Sequence, residues 1–306
     1  MSFSEDVRGE LAAIAPARDC DRLAELSALF HFAGRLHLRG RGEVALHLDL
    51  ASSAVARRAF ALLRSFGVRS EIRTYRRRAF DQETRYQLHV EGGPRALQVL
   101  DEAGVVDARL SPRGRPPKRI LARACCRAAY LRGALLAAGS VSGPPSPHLE
   151  VRSESLAGAE SVAAAAGAEG PGLRAVERGE HAVAYAKGID RIAGVLAAAG
   201  ASDAALALQE RAVVGSTKAR ANRLANADHA NLVRTARAAH AQVEAVRRLE
   251  RDGRLAELSP ALREIAELRL RHPSVSLREL GAKCRPTVSK AAAHRRMRAL
   301  VRIAQH

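Results

Sequence analysis

The strongest constraint on this chain is an order of periodicities that runs through once and then begins again. After a leading helix capped by Ser2-Phe-Ser-Glu5, Leu23, Leu26, Leu29 and Phe30 share one helix face that stops at Gly34. Arg35–Arg39 and Glu43–Leu50 then alternate with period two around Gly40-Arg41-Gly42, which predicts a β-hairpin. Ser52 opens a second helix closed by Gly67, and Arg69–Arg76 with Thr84–Val90 form a second hairpin. A third helix runs from Pro94 to Gly104. The order is αββαββα.

The same order returns after a Pro-, Gly- and Arg-rich segment, Ser111–Pro117. A helix is expected from about Lys118 to Gly139, then short strands at Ser140-Val141 and His148–Arg152, and a helix from Ser155 to Gly167. Leu173–Arg178 and His181–Lys187 make a hairpin about Gly179, and Ile189–Ala199 closes the copy. Beyond Lys218 strand signals vanish. Leu232, Ala236, Ala239, Val243 and Val246 mark one amphipathic helix that Asp252-Gly253 stops, and three short helices follow. The expected class is α+β, with lobes at 1–110 and 111–210, a linker helix region at 211–252 and an all-α module at 253–306.

Charge indicates what such a chain binds. Fifty Lys and Arg against 32 Asp and Glu leave a formal +18, a field that attracts polyanions. A GC-rich genome inflates arginine but does not cluster it. No acid occurs from Ala108 to Leu149, where Arg109, Arg113, Arg115, Lys118, Arg119, Arg123, Arg127 and Arg132 accumulate, nor after Glu279. With aromatics at 3% and no Trp, a base-stacking platform for single strands is disfavoured, so double-stranded DNA is the expected partner. Glu5, Asp6 and Glu10 do not suit a signal peptide, and no apolar run is long enough for a bilayer. Cys20, Cys125, Cys126 and Cys284 contain no C-x-x-C pair, so neither a disulfide framework nor a zinc module is indicated, and a reduced cytoplasmic setting follows. No cofactor, metal, membrane or small-molecule substrate is expected.

The final helices predict a helix-turn-helix. Ser276 caps a helix whose Leu277, Leu280 and Cys284 face inward. Arg285-Pro286-Thr287 turn, Val288 packs, and Ser289 caps a helix with Ala293, Met297 and Leu300 inward. Lys290, Ala291, Ala292, His294, Arg295 and Arg298 then point outward, small residues near the helix start allowing entry into a major groove. Ser276, Arg285, Thr287 and Ser289 complete the candidate DNA contacts of this module. In the first lobe, the face opposite Leu36, Leu38, Val44, Leu46, Leu48 and Leu50 would present Arg35, His37, Arg39, His47, Asp49, Arg85, Gln87 and His89. Arg35, Arg39 and Arg85, with Arg113, Arg115, Lys118 and Arg119 of the linker, are further DNA candidates. An ordinary half-solvated sheet fits this face equally well, and its histidines lack the spacing of a metal site.

Leu131-Arg-Gly-Ala-Leu-Leu-Ala-Ala-Gly139 resembles the LAGLIDADG signature helix of homing endonucleases, and Leu26-Ser-Ala-Leu-Phe-His-Phe-Ala-Gly34 is a weaker copy. The resemblance implies two helices packed at a pseudo-twofold axis. In those nucleases the residue before the last Gly is a metal-binding acid; here it is Ala33 and Ala138, which implies DNA binding without cutting. Such lobes followed by a helix-turn-helix look like the bacterial WhiA family across essentially the whole chain. Cys125–Val141, Arg220–Asn231, Pro147–Val151, Leu277–Gly281, Val288–Lys290 and His294–Arg298 carry that resemblance, and Arg285-Pro286 departs from an acidic or neutral turn residue. The family implies a transcription regulator of sporulation, cell division and chromosome segregation, located at the nucleoid, with other transcription factors or RNA polymerase as further partners. Two other readings stay open: a nuclease with a relocated metal site, and an adaptor whose lobes bind a protein.

Overall fold

The computed structural model describes residues 2–39, 43–76, 84–167 and 172–305; the expected turn Gly40-Arg41-Gly42 and the side chains of Leu38, Arg39 and Val44 lie outside the described residues. The chain divides into two compact units, Met1–Ser216 and Thr217–His306.

The first unit opens with α1 (Phe3–Ala13), capped by Ser2, whose Oγ accepts from the Glu5 amide at 3.3 Å. The first copy follows as α2 (Asp19–Ala33), β1 (Gly34–Arg39), β2 (Glu43–Leu50), α3 (Ser53–Ser65), β3 (Ser70–Arg76), β4 (Thr84–Val90) and α4 (Pro94–Glu102). The second is α5 (Ala124–Ala138), β5 (Gly139–Ser142), β6 (His148–Ser153), α6 (Leu156–Gly167), β7 (Arg174–Arg178), β8 (His181–Lys187) and α7 (Ile189–Ala199). Each copy is one antiparallel four-stranded sheet, ordered β1-β2-β4-β3 and β5-β6-β8-β7. Period-two patterning sends Leu46, Leu48, Leu50, Leu88 and Val90 of one sheet, and Leu149, Val151, Ala182, Ala184 and Ala186 of the other, into a common core.

The helices α2 and α5 pack on each other inside that core. Residues 24–30 of α2 and 129–136 of α5 are buried all round because both helices are enclosed. Close approach requires Gly133, where a Cβ would sit 2.5 Å from the Glu25 carbonyl oxygen. Beside that contact lies an ion triad. The Glu25 carboxylate accepts from Arg58 at 2.7 and 3.1 Å and from Arg132 at 2.8 Å, and all three side chains are buried. Arg132 also donates to the Ala199 carbonyl at 3.3 Å, so one acid joins α2, α3, α5 and the end of α7.

Two expected helices differ. The helix expected from Lys118 is instead a single 3-10 turn, Lys118–Leu121, separated from α5 by Arg123 in extended conformation. Ile120 is buried there, while Arg119 donates to the Asp101 and Glu102 carbonyls at 2.9 and 3.0 Å, contacts that override helix propensity. The last long helix, α8 (Ser202–Arg251), begins well before Lys218. Gly200 closes α7 with φ +102°, and the Glu10 carboxylate of α1 accepts from the Asp203 and Ala204 amides at 2.9 and 2.8 Å, capping α8 from another element.

In the second unit, the later part of α8 is joined by α9 (Pro260–Arg271), α10 (Leu277–Lys283) and α11 (Lys290–Ile303). Val246 and Leu249 pack with Ile265, Ala266, Leu280, Cys284, Ala293, Met297 and Leu300. The apolar stripe expected along α8 is thus used only at its end: Val243 and Val246 are buried, whereas Leu232 is 68% exposed because no described element of this unit covers it. Among the described residues no helix is long and apolar enough to cross a membrane.

Candidate nucleic-acid interface

The helices α10 and α11 and the six residues between them set the geometry of the C-terminal site. Ser276 and Glu279 form a reciprocal capping box at 3.2 and 2.9 Å, which also holds the Glu279 carboxyl below its ordinary range. After Gly281 the chain turns tightly. The Val288 amide donates to the Gly281 carbonyl at 2.9 Å, and a Cβ on Gly281 would meet the Val288 carbonyl at 2.5 Å. The Arg285 amide donates to Glu264 Oε1 of α9 at 2.6 Å, and Ser289 Oγ accepts from the Ala292 amide at 3.2 Å to start α11. Burial pushes the Cys284 thiol up, as befits a core residue.

This arrangement exposes Ser276, Arg285, Thr287, Ser289, Lys290, Ala291, His294, Arg295 and Arg298, while Ala292, expected to point outward, is half-buried beside the core. Ala291, Arg295, Arg298 and Arg302 fall on the stripe opposite Ala293, Met297 and Leu300. His294, Arg295, Arg298 and Arg302 border a shallow groove of about 710 Å³ whose other wall is Ala238, Ala241 and Gln242 of α8. One cation is withdrawn from this surface. Arg269 is 1% exposed and donates to the Val275 carbonyl at 2.8 Å, and to those of His272 and Pro273 at 3.4 and 3.3 Å, shaping the link to α10.

The lobe candidates are more committed to the protein itself. The outer face of the first sheet carries Arg35, His37, His47, Asp49, Arg85, Gln87 and His89 as the alternation requires. Asp49 there accepts from Gln87 at 3.3 Å and Tyr75 at 3.4 Å and lies 3.5 Å from His47. His37 and His47 stack with ring centres 5.2 Å apart. Arg35 is paired with Glu154 of the second lobe. Arg113 donates to the Val106 carbonyl at 3.1 Å and Arg119 to the end of α4, whereas Arg115 and Lys118 are exposed. Arg132, within the acid-free stretch, is enclosed by Glu25 and adds nothing to the surface field.

Ala33 and Ala138 end α2 and α5, with Gly34 and Gly139 as caps. A cleft of about 390 Å³ at Gly34, lined also by Phe30, His31, Arg35 and Ser153, contains Glu154 as its one carboxylate among the described residues, and that group pairs with Arg35. At the opposite ends of the same helices, Cys20, Asp21, Cys125 and Cys126 converge, a cluster that C-x-x-C spacing does not mark. A different signal marks it: Cys20 and Cys125 each stand fourteen residues before the glycine that ends their helix. The Arg18 guanidinium is pushed up by Cys125, first through a hydrogen bond, and Arg123 Nη1 lies 4.0 Å from Cys20 Sγ. Burial, then its hydrogen bonds with Cys20 and Cys125, push the Cys126 thiol up to about 12.

Family models match three stretches of the chain: the WhiA N-terminal LAGLIDADG-like domain at residues 19–106, the WhiA LAGLIDADG-like domain at 127–218 and the WhiA C-terminal HTH domain at 221–304. A protein of Symbiobacterium thermophilum described as a probable cell division protein WhiA is 40% identical over 100% of this chain and 98% of its own length. The chain belongs to the WhiA family. Another such relative, from Heliobacterium modesticaldum, is 35% identical over 100% of this chain and 96% of its own. The WhiA fold agrees as well. Full-length DUF199/WhiA from Thermatoga maritima superposes with a TM-score of 0.58 at 22% identity, covering 100% of this chain and 98% of that one. The isolated N-terminal LAGLIDADG domain of DUF199/WhiA gives 0.52 at 18% identity over 65% and 90%.

Proposed function

We propose that this chain is a double-stranded DNA-binding transcription regulator of cell division, sporulation and chromosome segregation, acting at the nucleoid without enzymatic activity. The observation that carries the reading is the outer face of α11, where exposed Lys290, His294, Arg295 and Arg298 flank the small Ala291 with no acid after Glu279. Such a helix fits a major groove, its arginines and lysine reaching guanine edges or phosphates. The missing carboxylates at Ala33 and Ala138 support binding without cleavage. Other transcription factors or RNA polymerase are further partners of the kind such a regulator meets.

A second reading concerns the lobes alone. Arg35, Arg113 and Arg119 already bond to Glu154 and to backbone carbonyls. This favours lobes that grip a protein, or that contact DNA only through residues such as Arg115 and Lys118. The test uses one genomically mapped site and one random duplex. Lys290→Ala or Arg295→Ala should weaken the mapped site by about 1–3 kcal/mol and relax specificity at one base pair. Equal losses on both duplexes for both variants would remove α11 as the reading element.

A further inference from the structure

The cysteine cluster at the N-terminal ends of α2 and α5 has no part in that reading. The two helices present it through equivalent positions. Arg18-Asp19-Cys20-Asp21 begins α2, and Arg123-Ala124-Cys125-Cys126 begins α5 at the same spacing from Gly34 and Gly139. The pseudo-twofold relation of the lobes therefore brings two two-residue ligand sets face to face. We propose that Cys20, Asp21, Cys125 and Cys126 bind one Zn²⁺-class divalent cation, which ties the starts of α2 and α5 together.

Geometry supports four-coordination. The three Sγ atoms and a carboxylate oxygen of Asp21 all lie within 4.8 Å of one another. A tetrahedral zinc with bonds of about 2.3 Å to sulfur and about 2.0 Å to oxygen places two sulfurs about 3.8 Å apart, and a sulfur and an oxygen about 3.5 Å apart. Cys125 and Cys126 Sγ are 3.9 Å apart, and Cys20 Sγ is 3.5 Å from Asp21 Oδ1. Two edges of the tetrahedron are already in place, and the longest remaining one has to contract by at most about 1.3 Å.

Charge supports it too. Three thiolates and a carboxylate outweigh a divalent cation by two negative charges, and Arg18 and Arg123 are the two cations at hand, each reaching across to the cysteine of the other helix. The amide-rich first turns of α2 and α5 add partial positive charge, which favours thiolate ligands. Cys126 is buried and the other three ligands are half-exposed, so the site has one closed side and one entry side. Three thiols and a carboxylate suit a soft or borderline metal, where an oxygen-only set would suit Mg²⁺ or Ca²⁺. A disulfide would use two of the four groups and leave one thiol and the carboxylate over.

The experiment titrates Co²⁺ into the full chain, reduced and stripped with chelator. The expected result is the intense visible absorption of tetrahedral Co²⁺ with a thiolate charge-transfer band, saturating at about one ion per chain and displaced by Zn²⁺. Cys20→Ser and Asp21→Asn, checked for unchanged helical circular dichroism, should each weaken Co²⁺ binding at least about tenfold, while Cys284→Ala leaves it intact. Absence of binding, the weak spectrum of octahedral Co²⁺, or a tetrahedral spectrum that survives both Cys20→Ser and Cys126→Ser would overturn the proposal.

Discussion

Where α2 meets α5, the interior contains a carboxylate and two guanidinium groups; where α10 meets α11, it is built from Leu280, Ala293, Met297 and Leu300. Both regions bring backbones close through one glycine, Gly133 against Glu25 in the first and Gly281 against Val288 in the second. They differ in what enforces the fit. Apolar side chains of similar volume can slide or exchange at small cost, whereas Glu25 is satisfied only with Arg58 and Arg132 both in reach. The triad sets one register between two lobes that similar helices would otherwise pack in several ways. The small C-terminal core needs no such device, since its turn and caps already fix two short helices.

Removing one partner from the triad should have the largest effect. Glu25→Ala leaves two buried guanidinium groups without a counter-charge and is expected to cost about 3–5 kcal/mol, seen in chemical denaturation as loss of the N-terminal transition at lower denaturant with the C-terminal one unmoved. Replacing all three charges together with Leu and Met should recover most of that loss; a triple variant as unstable as Glu25→Ala would show that packing, not uncompensated charge, is the cause. Met297→Ala, the parallel lesion in the apolar core, is expected to cost about 2–5 kcal/mol in the C-terminal transition alone. Weaker DNA binding should accompany it equally on every sequence, and a sequence-selective loss would contradict its core position.

The cap at the start of α11 should matter less. Ser289→Ala removes one bond to the Ala292 amide and should cost about 1 kcal/mol, measurable as a lower melting temperature of the C-terminal unit. The smallest effect is a pH dependence confined to the lobes. Burial, partly offset by the bond of Nδ1 with the Ser27 carbonyl at 2.7 Å, lowers the His31 pKa. The unfolded chain then holds the proton more readily, so stability of the N-terminal unit should rise with pH up to about 6.5 and be lost below it. Denaturation midpoints at about pH 5 and about pH 7.5 should differ for the native chain and differ less for His31→Gln, in which burial still lowers the His47 pKa. Midpoints that differ equally in both would assign the effect elsewhere.

Much of this is legible along the chain. Leu46, Leu48 and Leu50 alternate, Ser276 and Ser289 cap, and Gly34 and Gly139 end helices, all through contacts with near neighbours. What escapes such reading is made by residues far apart. The triad joins positions separated by 33 and 107 residues, and no local pattern distinguishes Arg132 from the exposed arginines around it. The cysteine cluster escapes because its ligands come in adjacent pairs from two helices. Lys118–Leu121 reads as the start of a helix, since the carbonyls that take Arg119 belong to α4. In the candidate interface, alternation and helical period place the exposed cations, but only the fold tells which of them already serve the protein, as Arg269 and Arg35 do.

The cap that Glu10 places on α8 has a consequence in time. Its partners, the amides of Asp203 and Ala204, lie 193 and 194 residues later in the chain. Ser4 and Arg8 of the same helix bond to Val141 and Gly139, at 2.8 and 2.7 Å. On the ribosome, α1 can pack on α3 once the first lobe has emerged, but these polar bonds must wait for the second lobe and the start of α8. Loss of the Glu10 carboxylate then acts late in assembly, on the joining of α8 to the finished double lobe.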